Sequence, residues 1–129
     1  MPVLARWVDQ RVKEGVGFAV MGDFNRHLDK DARYPAGPDE SAPLNLFNAL
    51  SDNEPPGAVL MRATEGADSQ PCDSDDHHKQ YIDDILVSAK LANRASQRQF
   101  SRLPYAPEDR GRMLSDHCPV VYRLTGALK

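Results

Sequence analysis

One stretch restricts the fold of this chain more than any other: Phe18-Ala19-Val20-Met21-Gly22-Asp23-Phe24-Asn25, an apolar run that passes through a glycine into a carboxylate and an amide. Four apolar residues read as a buried strand, and Gly22 as the point where the backbone turns sharply. Asp23 and Asn25 then stand at a strand's carboxyl end, where open α/β sheets usually place their chemistry. Taken alone, Asp and Asn beside Gly are also ordinary turn residues. What separates the two readings lies further along the chain.

Upstream, Val3, Leu4, Trp7, Val8 and Val12 recur at three- and four-residue steps, with Arg6, Asp9, Gln10, Lys13 and Glu14 on the other face. That spacing predicts an amphipathic helix that Pro2 suits at its first turn and that Gly15 and Gly17 stop. Trp7 is expected to anchor it in the core. Helix, glycine link and strand make an α-to-β unit in which the helix covers one sheet face.

Downstream, residues 26–43 read as a surface loop rich in Asp, Arg, Pro and Gly, and 44–50 as a short helix ended before Pro55-Pro56-Gly57. Residues 58–62 suit a strand, and 63–79 a second polar loop with an acidic run at Asp73, Asp75 and Asp76. Tyr81-Ile82-Asp83-Asp84-Ile85-Leu86-Val87-Ser88 is apolar enough to be a central strand, interrupted by two carboxylates. Residues 91–103 form a weaker strand or irregular segment and 104–113 a loop. The last strand, 118–124, is entered through Leu114-Ser115-Asp116-His117.

With 129 residues the chain has room for one domain and a modest core, and a net charge of −3 gives no basic field to hold a polyanion. A phosphate ester would have to be held by a cation or by a local Arg or Lys. No apolar run is long enough to cross a bilayer, and the N-terminus lacks the pattern of a secretory signal. Cys72 and Cys118 are too few for a disulfide framework. Two buried thiols and one bridge both fit; a bridge would imply a periplasmic or secreted setting, reduced thiols a cytoplasmic one.

Three polar clusters therefore stand beside three apolar strands: Asp23/Asn25, Asp83/Asp84 and Asp116/His117. An ionised carboxylate among Ile, Leu and Val costs several kcal/mol unless partnered. The simplest solution is convergence of all three around a divalent cation and a histidine. Oxygen-rich ligands point to Mg²⁺, Mn²⁺ or Ca²⁺ rather than zinc. His117 is the candidate for contacting a phosphate or handling a proton, with a carboxylate fixing its tautomer.

Gly22-Asp23-Phe24-Asn25, Ile82-Asp83 in an apolar strand, and Ser115-Asp116-His117-Cys118-Pro119-Val120 closely resemble, in order, the last three motifs of the endonuclease/exonuclease/phosphatase superfamily. That superfamily has the fold of pancreatic deoxyribonuclease and includes apurinic endonucleases, sphingomyelinases and inositol polyphosphate phosphatases. The resemblance implies an α/β fold with half of a two-sheet sandwich, a mostly antiparallel or mixed sheet and flanking helices. It implies a divalent-metal-dependent hydrolase of phosphate esters, with nucleic acid among the allowed substrates. Asp23 would orient or deprotonate the attacking water, and Asn25 would help hold the phosphate. Asp83 would pair with His117, which would contact the scissile phosphate. Asp116 and Asp23 would lie at the metal, and Arg26, just after Asn25, is placed to meet a substrate phosphate.

Two departures matter. Many family members carry His or Tyr where this chain has Asp84. The family's first half also supplies an Asn and the Glu that is the chief metal ligand, whereas Glu14 falls in a helix and Glu40, Glu54, Glu65 and Glu108 fall in loops. Residues 1–129 are accordingly expected to be the C-terminal half of one domain, its N-terminal half absent. The exposed face of half a sandwich would be covered by a second copy or by the complementing half. The alternative function is a catalytically incompetent half-domain that works by association with another chain; a nucleic-acid-binding module is disfavoured by the acidic balance. Asp73-Ser74-Asp75-Asp76-His77-His78 does not fit a calcium-loop spacing and reads as a solvated loop. Tyr34 and Tyr105 read as loop aromatics.

Overall fold

A computed structural model describes residues 2–29, 45–67, 82–106, 108, 115 and 117–126. Helix α1 (Pro2–Lys13) leads into strand β1 (Ala19–Asp23), followed by helix α2 (Leu46–Leu50), strands β2 (Leu60–Arg62) and β3 (Asp83–Ser88), helix α3 (Ala89–Ala92), and strands β4 (Gln97–Arg102) and β5 (Val120–Thr125). The class is mixed α/β. Strands β1, β3 and β2 form one antiparallel sheet with β3 central, and β4 and β5 form a second antiparallel pair.

The helix predicted at the start is present, and its stop is a glycine device. Gly15 takes φ +67°, its N–H donates to the Val12 carbonyl at 2.9 Å, and the Val16 N–H reaches back to the Arg11 carbonyl at 3.3 Å. This pair of bonds satisfies carbonyls the helix end would leave open. The strand after it runs two residues longer than the apolar run suggested. Gly22 and Asp23 remain paired with Asp84 and Asp83, Gly22 at φ +153° within the strand, and the left-handed turn comes later, at Asn25 with φ +53°.

Period-two alternation along β3 sends its side chains to two different cores. Leu86, with no exposed surface, joins Val8, Phe18, Leu28, Leu46, Leu50 and Leu60 under α1 and α2. Ile85 and Val87 face the other way, where Ala63 and Ala92 complete a cluster covered by Phe100, Val120, Tyr122 and Leu124 of the second sheet. All six residues of β3 are buried. A helix the sequence reading missed, α3, follows directly: buried Ser88 caps it, accepting from Leu91 N at 3.4 Å and from Phe18 N at 3.0 Å, so one hydroxyl ties β3, β1 and α3 together.

Trp7 is not the buried anchor expected. It is 41% exposed, its ring meeting Phe18 edge-on at 5.3 Å while the Arg11 guanidinium lies 5.7 Å from its centroid. Cys118 is buried and disulfide-bonded, and the one other cysteine in the sequence, Cys72, lies outside the described residues. So do Tyr34, the acidic run at 73–76 and Glu40. No helix among the described residues is long and apolar enough to cross a membrane.

Asp84 belongs to the scaffold. It faces away from Asp83 and is buried, and its carboxylate accepts from Thr64 Oγ1 at 2.7 Å, Ile85 N at 2.7 Å and Thr64 N at 3.4 Å, so it pins the turn after β2 onto β3. Loss of water pushes its pKa above the ordinary 3.8, and the hydrogen bonds from Thr64 and Ile85 and the charge of Arg62 oppose the rise without cancelling it.

Two outcomes follow from this packing. Leu86→Ala removes a side chain with no exposed surface from the centre of one core and should cost about 2–5 kcal/mol in a denaturant titration. Because folding raises the pKa of Asp84, the folded state binds the proton more tightly, so stability falls as pH rises from 3.8 through the raised value and is level above it. Asp84→Asn lacks that decline. The difference in urea midpoint, variant minus wild type, should grow with pH across that window, and a pH-independent difference would contradict the assignment.

Candidate functional site

Antiparallel pairing creates the site. In the register of β1 and β3, Asp23 lies directly opposite Asp83, and the ladder continues one step to a Phe24 N–H bond with the Ile82 carbonyl at 2.9 Å. Asp23 is at the carboxyl end of its strand and Asp83 at the amino end of the other, so they share one end of the sheet. The expectation that the chemistry gathers at carboxyl ends thus needs correcting, because that rule belongs to parallel sheets. Alternation also places both carboxylates on the face that carries Ile85 and Val87, toward the second sheet.

His117 arrives from the segment that enters β5. Its N–H donates to Ser115 Oγ at 3.0 Å, a local turn that presents the ring to the sheet. Nδ1 lies 2.9 Å from Asp83 Oδ2 and 3.1 Å from Oδ1. A carboxylate only accepts, so the proton of this bond is on Nδ1. On the far side of the ring, Nε2 is 3.7 Å from Asp23 Oδ2. Asp83 is the shielded member, its side chain 12% exposed, while Asp23 and His117 are about one-third exposed and open to a ligand.

Two carboxylates set opposite each other repel, and the imidazole between them is what makes the pairing tolerable. Asp23 is oriented by its other oxygen: Oδ1 accepts the Asn25 N–H at 2.7 Å, an Asx turn that the left-handed Asn25 completes. Asn25 itself is exposed, and its described bond is through its backbone. Arg26 is half-buried just beyond and already engaged in an interaction of its own. Of the predicted site residues, then, Asp23, Asp83 and His117 are brought together; Asp84 is turned to the opposite face, and Asp116 lies outside the described residues.

Donor chemistry tests the expected Mg²⁺. That ion demands near-octahedral oxygen coordination. Asp23, Asp83 and His117 each offer a ligand atom within 4.8 Å of the others, yet both oxygens of Asp83 already accept from Nδ1, and the third donor is an imidazole nitrogen. Among the described residues this set does not make a Mg²⁺ site by itself. Sequence reasoning also missed Thr64 and Ser88 as the residues that hold β3 in place. Ser88 before Ala89-Lys90-Leu91 could have been read as a helix cap, whereas Thr64 lies twenty positions from Asp84 and carries no local signal.

Comparison with known proteins adds no identity to this geometry: no family model matches the chain, and neither does a curated protein or a solved structure.

Proposed function

We propose that this chain carries the phosphate-contacting and proton-handling part of a divalent-metal-dependent hydrolase of phosphate esters, on half of a two-sheet α/β sandwich like that of pancreatic deoxyribonuclease. The observation that carries the reading is the meeting of side chains from positions 23, 83 and 117 within 4.8 Å at one sheet end. Each has a role that its bonds support. Asp83 accepts a hydrogen bond from Nδ1–H and so turns Nε2 toward the side of Asp23, where a protonated ring would donate to a phosphoryl oxygen and stabilise its growing charge. Asp23, with Oδ1 held by the Asn25 N–H, keeps Oδ2 toward that space and would take a proton from an attacking water. Asn25 and Arg26, next in the chain, would hold the substrate phosphate. The ordered resemblance to three superfamily motifs points the same way.

Mg²⁺ or a similar ion would polarise the phosphoryl group when bound. Its ligands would have to come largely from outside the described residues, from Asp116 and from a complementing half or second chain. Strand β1 suits such a partner. It has a neighbour on one side only among the described strands, and Met21, beside Asp23 on the inward face, is 67% exposed. The same observations favour the second reading, a half-domain that acts by associating with another chain.

Hydrolysis of bis(4-nitrophenyl) phosphate by the purified chain with Mg²⁺ separates the two. The hydrolase reading expects turnover that His117→Ala lowers by about 10²–10⁴-fold, the range for a lost proton-transfer group. A folded chain with no turnover under any divalent ion would overturn it in favour of association.

A further inference from the structure

The end of β3 remote from Asp83 borders a cavity of about 220 Å³. Its walls are Val12 and Val16 from the end of α1, Phe18 before β1 and Pro56 from the loop before β2, with Ser88 and Lys90 from the junction of β3 and α3. The backbone N–H groups of Gly15, Val16, Phe18, Gly57, Ser88 and Ala89 around it all have acceptors, at 2.9–3.3 Å. Two side-chain donors are left. Ser88 is 2% exposed and shares a strand face with Leu86, the face that α1 covers, so its hydroxyl is on the cavity's side. Its Oγ accepts from the Phe18 and Leu91 N–H groups, but its own O–H has no acceptor among the described residues. A buried hydroxyl that cannot donate is unfavourable, so an acceptor placed beside it in the cavity is favoured. The second donor, Lys90, is exposed, and its Nζ stands 3.3 Å from where a Cβ on Gly15 would lie, at the end of α1. No acid lines the cavity, and Glu14, beside Gly15, is bonded to Arg11 and Gln10. An ammonium at the carbonyl end of a helix is favourable in itself, which accounts for Lys90 but not for the Ser88 proton.

From this arrangement we infer that the cavity binds a small aliphatic monocarboxylate. One oxygen accepts from Ser88 Oγ–H, the other faces the Lys90 ammonium, and the hydrocarbon body lies among Val12, Val16, Phe18 and Pro56. Size sets the upper limit. With about 30 Å³ for each water-sized group, 220 Å³ holds roughly seven of them, the non-hydrogen atoms of a five-carbon acid, and falls below the roughly 300–1,000 Å³ of sites for larger ligands. Charge selects the head group. One ammonium and one hydroxyl match the two oxygens of a carboxylate, whereas a phosphate would turn its remaining oxygens onto apolar walls at a desolvation cost. The site shares no residue with Asp23, Asp83 and His117 and does not depend on the hydrolase reading.

Titration of the whole chain with isovalerate, followed by ¹H–¹⁵N NMR, tests it. Saturable shifts are expected at Val12, Val16, Phe18, Gly57, Ser88 and Lys90, and isovaleramide and inorganic phosphate should cause none of them. Lys90→Gln, a change at an exposed side chain, should weaken binding by about 10–100-fold, the range for a lost charge-assisted contact. Val16→Phe, at a position 43% exposed, should fill the rim of the cavity and abolish binding. His117→Ala should leave it unchanged, and the same spectra show that each variant is folded. Equal binding of the amide or of phosphate, binding that Lys90→Gln or Val16→Phe leaves unchanged, shifts centred on Asp23 and His117, or no saturable shift at millimolar isovalerate would overturn the assignment. Phosphate-ester turnover is not read in this experiment, so loss of the hydrolase reading and loss of this one are separate results.

Discussion

The bond from His117 Nδ1 to the Asp83 carboxylate is the constraint on which the candidate site depends. It joins the start of β5 to the start of β3, two segments 34 residues apart, and so joins the second sheet to the first at the polar end of their shared core. Without it Asp83 would be a shielded carboxylate facing a second carboxylate across the ladder, an arrangement costing several kcal/mol unless neutralised. With it, the same charge becomes a device for orienting a ring.

Rigidity behind that bond comes from the opposite face and far end of β3. Asp84 clamps the turn after β2 through Thr64, Leu86 fills the core under the helices, and Ser88 ties the strand's last residue to Phe18 and to α3. Asp84, Leu86 and Ser88 are thus fixed by contacts outside the site, and in a strand buried along its whole length Asp83 has little freedom to move away from His117. The exposed members of the triad, Asp23 and His117, are held by local turns instead, Asp23 by the Asn25 N–H and His117 by Ser115. A fixed carboxylate behind an adjustable imidazole, with an adjustable carboxylate on the far side of the ring, is suited to receiving a ligand.

Much of this was legible in the residues. The helix at 2–13, the strand through 19–21, the short helix at 46–50 and the buried strand ending at Ser88 follow from hydrophobic period, glycine and proline alone. The need for Asp83 to find a partner followed from the cost of burying charge, whereas the choice of His117 as that partner was implied by the resemblance of the motifs and not by charge or spacing. The rest was set by long-range packing. Asp83 and Asp84 look alike in sequence, and only strand alternation together with Thr64 sends one to the site and the other to the scaffold. Trp7 lies on the apolar stripe of α1 yet stays half open, because Val8 and not Trp7 points at the centre of the core. Residues 91–103 blend a short capped helix with a strand whose outer half is exposed, a mixture that averages to no clear period.

The central claim, that Asp83 fixes the protonation and aim of His117, is tested most directly by ¹⁵N-detected NMR of the histidine ring nitrogens. The account predicts that His117 carries its proton on Nδ1, with a strongly deshielded, slowly exchanging Hδ1 that disappears in Asp83→Ala. A neutral His117 protonated on Nε2 with bare Nδ1, unchanged by that substitution, would contradict it.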